Sequence, residues 1–207
     1  AGFFRDLGIR KPDADYLRND SEIYAIDVAS GEIKTLTDRK GPELRPVASP
    51  NGKWIAYSGW DDKKFTNHVG SLYLMDATGA NKRTLAANLA STPSNWFWST
   101  DSTGIYYSVE ERGTSNLYFA HVDKPPVKVT DGVHMMTQIS VAKNGRAAAV
   151  RAGFHEPGSL VVFDVRSPGA VKTLVDVNQD VLAGAKLAPV EEMWVSSSDG
   201  RKVQGWL

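Results

Sequence analysis

At 207 residues the chain is long enough for one sizeable domain, and 42% apolar with 23% charged residues is ordinary globular composition. Lys plus Arg and Asp plus Glu both number 24, so there is no basic excess to favour nucleic acid or an anionic membrane surface. The absence of cysteine excludes a disulfide framework and thiolate metal sites, and no apolar run reaches the roughly 18 residues that cross a bilayer.

Taken in order, residues 1–20 show no clear period; Phe3 and Phe4 read as the end of a strand, followed by a polar loop containing Pro12. Residues 21–37 (SEIYAIDVASGEIKTLT) read as strand, turn, strand. Residues 45–59 (RPVASPNGKWIAYSG) read as a hairpin whose Asn51-Gly52 turn tolerates positive φ at both residues. This plan recurs at residues 94–108 (SNWFWSTDSTGIYYS) and 137–150 (TQISVAKNGRAAAV). After each hairpin comes a second strand-turn-strand unit, at residues 70–85, 115–130 and 158–174. The matching anchors Ile23, Leu72, Leu117 and Leu160 are spaced by 49, 45 and 43 residues. A period of about 40–45 residues with four strands per repeat is the signature of a β-propeller blade. The chain therefore reads as an all-β partial propeller over residues 1–176. It has an outer half-blade at 21–40 and full blades at 41–88, 89–132 and 133–176, about three and a half in all.

After Asp176 the repeat stops. Residues 177–190 read as a linker with weak early helical character and Pro189 late. Residues 191–207 (EEMWVSSSDGRKVQGWL) form one more hairpin, around Asp199-Gly200, that does not match the blade repeat.

No metal site is expected. His68, His121, His134 and His155 lack partners at ligand spacing, and the adjacent His155-Glu156 would point to opposite faces of a strand. No cofactor motif is present. Trp54, Trp96 and Trp98 are expected to pack between blades. Asn19-Asp20-Ser21 matches a glycosylation triplet that arises often by chance. In a four-stranded meander the chain enters and leaves on the rim that also carries the loops between second and third strands. Those loops, at residues 59–70, 109–115 and 152–158, carry clusters of charged residues, whereas the opposite rim is mostly short turns. Loops on a rigid scaffold are where binding concentrates. Trp60, Asp61, Glu110, Glu111, Arg112, His155 and Glu156 are therefore the candidates to face a substrate or a second domain.

RPVASPNGKWIAYSG resembles the P-x-x-SPDGK-x-IA repeat of TolB-type propellers and of prolyl oligopeptidase-type serine peptidases, with Asn51 in place of the repeat's Asp. The terminal EEMWVSSSDGRKVQGWL is similar to the junction at which the propeller of acylaminoacyl-peptidase and dipeptidyl-aminopeptidase relatives hands over to an α/β-hydrolase domain. The resemblance implies that the full blades are the last three of about seven. Residues 191–207 would then be the first hairpin of the hydrolase domain. It implies a substrate-gating propeller of a peptidase acting on short peptides or acyl-peptides, with peptide and the hydrolase domain as partners. A non-catalytic TolB-like propeller binding protein or peptide is the alternative. No catalytic residue carries over, because these 207 residues contain no G-x-S-x-G elbow. Some relatives hold the substrate's free amine with two propeller glutamates from an earlier blade, so that role does not pass to Glu110 and Glu111. An open arc of blades is expected to associate, with another copy or with the rest of the parent. The compartment is open between bacterial cytoplasm and periplasm: zero cysteine does not choose between them, and in a chain that opens on Ala1 rather than Met the lack of a Lys/Arg-led signal says little.

Overall fold

The computed structural model describes residues 2–5 and 20–207; the loop expected at Pro12, and Asn19 of the glycosylation triplet, lie outside the described residues. The first unit is an antiparallel sheet of β1 (Gly2–Arg5), β2 (Ile23–Ile26) and β3 (Ile33–Thr35). The strand pair expected at residues 21–40 thus gains a third strand, β1, with Phe4 opposite Tyr24. Next come β4 (Glu43–Ala48), β5 (Trp54–Gly59), β6 (Ser71–Asp76) and β7 (Arg83–Ala86), a meander in chain order. The third unit is β8 (Ser94–Trp98), β9 (Gly104–Glu111), β10 (Thr114–His121) and β11 (Val127–Lys128). The fourth is β12 (Met135–Val141), β13 (Arg146–Gly153), β14 (Glu156–Asp164) and β15 (Ser167–Asp176). The short helix α1 (Gln179–Leu182) leads to the hairpin of β16 (Glu192–Ser196) and β17 (Lys202–Trp206). The sheets stay open, as in a partial propeller, and each anchor (Ile23, Leu72, Leu117, Leu160) lies on the third strand of its full blade or on the matching β2.

Polar side chains close the turns between first and second strands. Of Asn51-Gly52 only Gly52 takes a left-handed φ, +69°, which corrects the two-residue positive-φ turn expected there. Asn51 Oδ1 instead accepts from Lys53 N–H at 3.0 Å and Ser49 Oγ at 2.7 Å, while Ser49 Oγ accepts from Trp54 N–H at 3.0 Å. Ser99 and Asp101 repeat this wiring toward Gly104 and Thr103, with Ser102 as the left-handed residue at φ +61°. Asn and Asp are interchangeable here because the working atom is an Oδ1 acceptor. The two-residue turn with both φ positive occurs elsewhere, at Arg112 (+50°) and Gly113 (+67°) between β9 and β10.

The first strand of every full blade carries a bulge. Arg45, Asn95 and Gln138, at φ +52°, +48° and +50°, sit where the register of β4, β8 and β12 breaks against the second strand. An extra residue there bends the strand and raises its twist.

Apolar faces join the blades. Trp96 and Trp98 of β8 are buried with Ile105 and Tyr107 against Ala56, Leu72 and Leu74 of the preceding blade, and Trp54, on a second strand, packs at the edge of this cluster. Tyr106 and Leu117 meet Met136, Ile139, Ala149, Val161 and Phe163 in the next cluster. Ile23, Ile55, Tyr57 and Met75 form the first. Backbone also crosses between blades. Ser115 pairs in parallel with Met135 and fuses the last two blades into one eight-stranded sheet, while Ser21 pairs in parallel with Pro42.

Candidate functional site

The loops between second and third strands lie on one rim, and they differ in build. Residues 60–70 form a true loop. His68 stacks on Trp60 and on Phe65, each with centroids 5.9 Å apart, and its Nε2 accepts from Lys63 N–H at 3.2 Å. Asp62 holds Lys64 at 2.8 Å. The loop borders a cavity of about 440 Å³ walled by Trp60, Asp61, Phe65, His68 and Tyr73. Trp60 is half-buried and its Nε1 has no hydrogen-bond partner.

The other two loops are tighter than the sequence implied. Glu110 and Glu111 lie on the end of β9, not in a loop, because Glu111 pairs with Thr114 across the Arg112-Gly113 turn; both glutamates are exposed. Glu156 is the first residue of β14, paired with Gly153, and only Phe154 and His155 form the turn. His155 is exposed, whereas Glu156 is clamped by Arg151 at 2.9 and 3.0 Å. That hydrogen bond is the chief reason the Glu156 carboxyl titrates below its usual range.

Beneath this rim lies a buried ion pair to which sequence reasoning gave no role. Arg39 Nε donates to Glu43 Oε1 at 2.7 Å, and Nη1 donates to Tyr73 Oη at 2.5 Å and Asp61 Oδ1 at 3.3 Å. The guanidinium also lies over the Tyr73 ring, 4.3 Å from its centroid. Burial pushes the Glu43 carboxyl up to about 7 despite Arg39, and pushes the Tyr57 hydroxyl up as well. The same attraction raises Arg39. Asp61 is thereby tied to the scaffold, while Glu110, Glu111 and His155 are not drawn into one cluster with it.

The terminal hairpin rests on the same rim. Gln204 Nε2 donates to the Arg112 carbonyl at 3.3 Å and to Glu192 Oε1 at 2.7 Å, and the Arg112 guanidinium lies 5.8 Å from the Trp194 ring centroid. Trp206 meets Phe154 at 4.8 Å between centroids and lies so close to Gly113 that a Cβ there would stand 3.0 Å from the indole. Glycine at residue 113 therefore serves twice, through its positive φ and as a bare seat for Trp206. Arg112 was among the residues the sequence offered for a contact with a second domain; Gly113 was not.

No family model matches the chain. It is 26% identical over 178 residues to dipeptidyl-peptidase 5 of Trichophyton equinum, covering 81% of this chain and 24% of that protein. The chain thus spans about a quarter of the length of the curated relatives it matches. Its fold superposes on acylaminoacyl peptidase of Pyrococcus horikoshii with a TM-score of 0.70 at 18% identity, over 92% of this chain and 28% of that one. It also superposes on the propeller domain of the Trilobed protease of Pyrococcus furiosus, with a TM-score of 0.59 at 20% identity over 76% of this chain and 46% of that one. TolB of Acinetobacter baumannii gives 0.55 at 15% identity, over 77% of this chain and 38% of its own. In sequence and in fold, the chain is similar to the β-propeller portion of the dipeptidyl and acylaminoacyl peptidases.

Proposed function

We propose that this partial propeller is the substrate-gating and recognition wall of a serine peptidase acting on short peptides or acyl-peptides, with the α/β-hydrolase domain seated on the rim just described. The observation that carries the reading is the terminal hairpin lying on that rim through Gln204, Trp194 and Trp206. A hairpin of the hydrolase type has no use in a propeller that only binds. The chemistry itself, an acyl-enzyme formed by a Ser-His-Asp triad, would be supplied outside these residues. The role of the rim would be to admit an extended peptide and hold it by the exposed charges of Glu110, Glu111 and Arg112 and the exposed imidazole of His155.

Kinetics of the full-length protein on dipeptide and acyl-amino-acid substrates test this. Glu110→Ala or Arg112→Ala is expected to change kcat/KM by about tenfold, the size of one lost charge-assisted hydrogen bond. Asp76→Ala and Lys143→Ala on the opposite rim are expected to leave it unaltered. Equal and negligible effects from both pairs would remove the rim from function. A coding sequence that stops at Leu207, with peptide binding retained, would favour the TolB-like alternative.

A further inference from the structure

Between the turns that follow β9 and β13, the rim encloses a cavity of about 170 Å³ with a largely apolar wall. Gly113, Val133, His134, Met135, Gly153 and Phe154 surround it. Gly153 leaves its part of the wall bare, with no atom nearer than 4.0 Å to where a Cβ would stand, whereas the room beside Gly113 is taken by Trp206. Val133 and Phe154 are 64% and 49% exposed, so the cavity is reachable from the rim. Trp206 lies at its edge, against Gly113 and Phe154, so the cavity continues the contact between rim and hairpin.

Size and polarity point to the guest. An apolar cavity of roughly 150 Å³ accepts a benzene-sized molecule in preference to water. A phenyl or isobutyl group fits such a volume and a second residue does not. The wall also holds one orphan, because His134 Nε2 is buried without a hydrogen-bond partner. Burial, and then Arg151, lower the pKa of this histidine, so the imidazole is neutral and an amide of the guest is a suitable partner.

We propose that this cavity is a subsite for one large apolar side chain, of the leucine or phenylalanine class, on a peptide lying along the rim. The inference rests on the peptidase reading above, and it adds a substrate class to it.

Methyl NMR of the 207-residue chain labelled with ¹³C-methyl methionine tests it. Met135 lines the cavity, and Met75, fully buried between the first two units, is the internal control. N-acetyl-leucinamide and N-acetyl-phenylalaninamide are expected to shift Met135 saturably and to leave Met75 in place. N-acetyl-alaninamide is expected to bind roughly tenfold or more weakly, since it lacks the methylene groups whose burial supplies the affinity. Ala152→Leu, which fills the wall, should abolish the response. Should that variant fail to fold, Val133→Lys at the exposed mouth should do the same. The subsite is overturned by a Met135 that does not move, by equal affinity for the alaninamide, by an equal shift of Met75, or by binding that survives the folded variants. A silent Met135 in a protein whose turnover responds to Arg112→Ala would sink the subsite and leave the peptidase reading intact. A responsive Met135 with no effect of any rim variant on turnover would do the reverse.

Discussion

Glu43 begins β4 with 1% of its side chain exposed, and its Oε2 has no hydrogen-bond partner. Burial pushes its carboxyl up to about 7 in the fold, from an ordinary 4.5. Below about pH 4.5 it is protonated whether the chain is folded or not. As pH rises toward 7 the folded chain must give up a proton it holds more tightly, so the contribution of this group to stability falls across that window. Urea unfolding at pH 5 and pH 7.5 is expected to show that fall, and Glu43→Gln, which stands in for the protonated carboxyl, to remove its share of the pH slope while staying close to the parent chain in stability at pH 5. An unchanged slope would mean that Glu43 titrates normally. Asn51 offers a gentler test. Asn51→Asp keeps the Oδ1 acceptor, adds charge to its bonds with Ser49 and Lys53, and should stabilise by about 0.5–1 kcal/mol, whereas Asn51→Ala should cost about 1–2 kcal/mol.

The four-stranded blades follow from runs of strand-forming residues and from turns that satisfy their own backbone. Buried threonines just beyond the last strand of a unit tie it to the strand before. Thr37 Oγ1 accepts from Ile23 N–H at 2.8 Å, and Thr130 Oγ1 accepts from Leu117 N–H at 2.9 Å, the same bond two repeats apart. The inner bulges carry strain, because a non-glycine residue in the left-handed region costs about 1–2 kcal/mol. Gln138→Gly is therefore expected to stabilise the chain, or at least to cost nothing, while the β-branched Gln138→Val should destabilise it by about 1–2 kcal/mol. Thermal melts of the two variants check this; equal melting points would show the bulge to be relaxed. The hairpin seat admits a parallel test. Gly113→Ala puts a Cβ against Trp206, so the blades should stay folded while Trp206 becomes more exposed, read as increased quenching of tryptophan fluorescence by acrylamide.

The arc of blades leaves one repeated face uncovered. Ile23, Leu72 and Leu117 are completely buried because the following blade covers them, whereas Leu160, their counterpart on β14, is 41% exposed. Val175, its neighbour on β15, is 48% exposed. The 207-residue chain is expected to self-associate through this face with rising concentration. Leu160→Lys should shift it toward monomer in sedimentation velocity. A monodisperse monomer at high concentration would show that the face tolerates water. On the same scale, the chain should not react with a fluorophosphonate serine probe, because its sequence holds no G-x-S-x-G elbow.

The sequence by itself determined the architecture, because a blade is a local object. The run of strand formers along Trp54–Gly59, Asn or Asp two residues after Ser49 and Ser99, and the recurring anchors are all readable within some 40 residues. It also set out which loops share a rim, since an antiparallel meander fixes that by strand direction alone. It misplaced the Asn-Gly conformation, because that motif fits two turns and only the Ser49 hydroxyl decides between them. It said nothing of the bulges at Arg45, Asn95 and Gln138, where no glycine announces a positive φ and the packing of the inner strand imposes it. Only the tertiary structure brought Arg39 and Tyr73 together beneath the rim and set Gln204 on Arg112, 92 residues away in the chain. Contacts of that kind depend on how blades stack, and a period read along the chain carries no record of it.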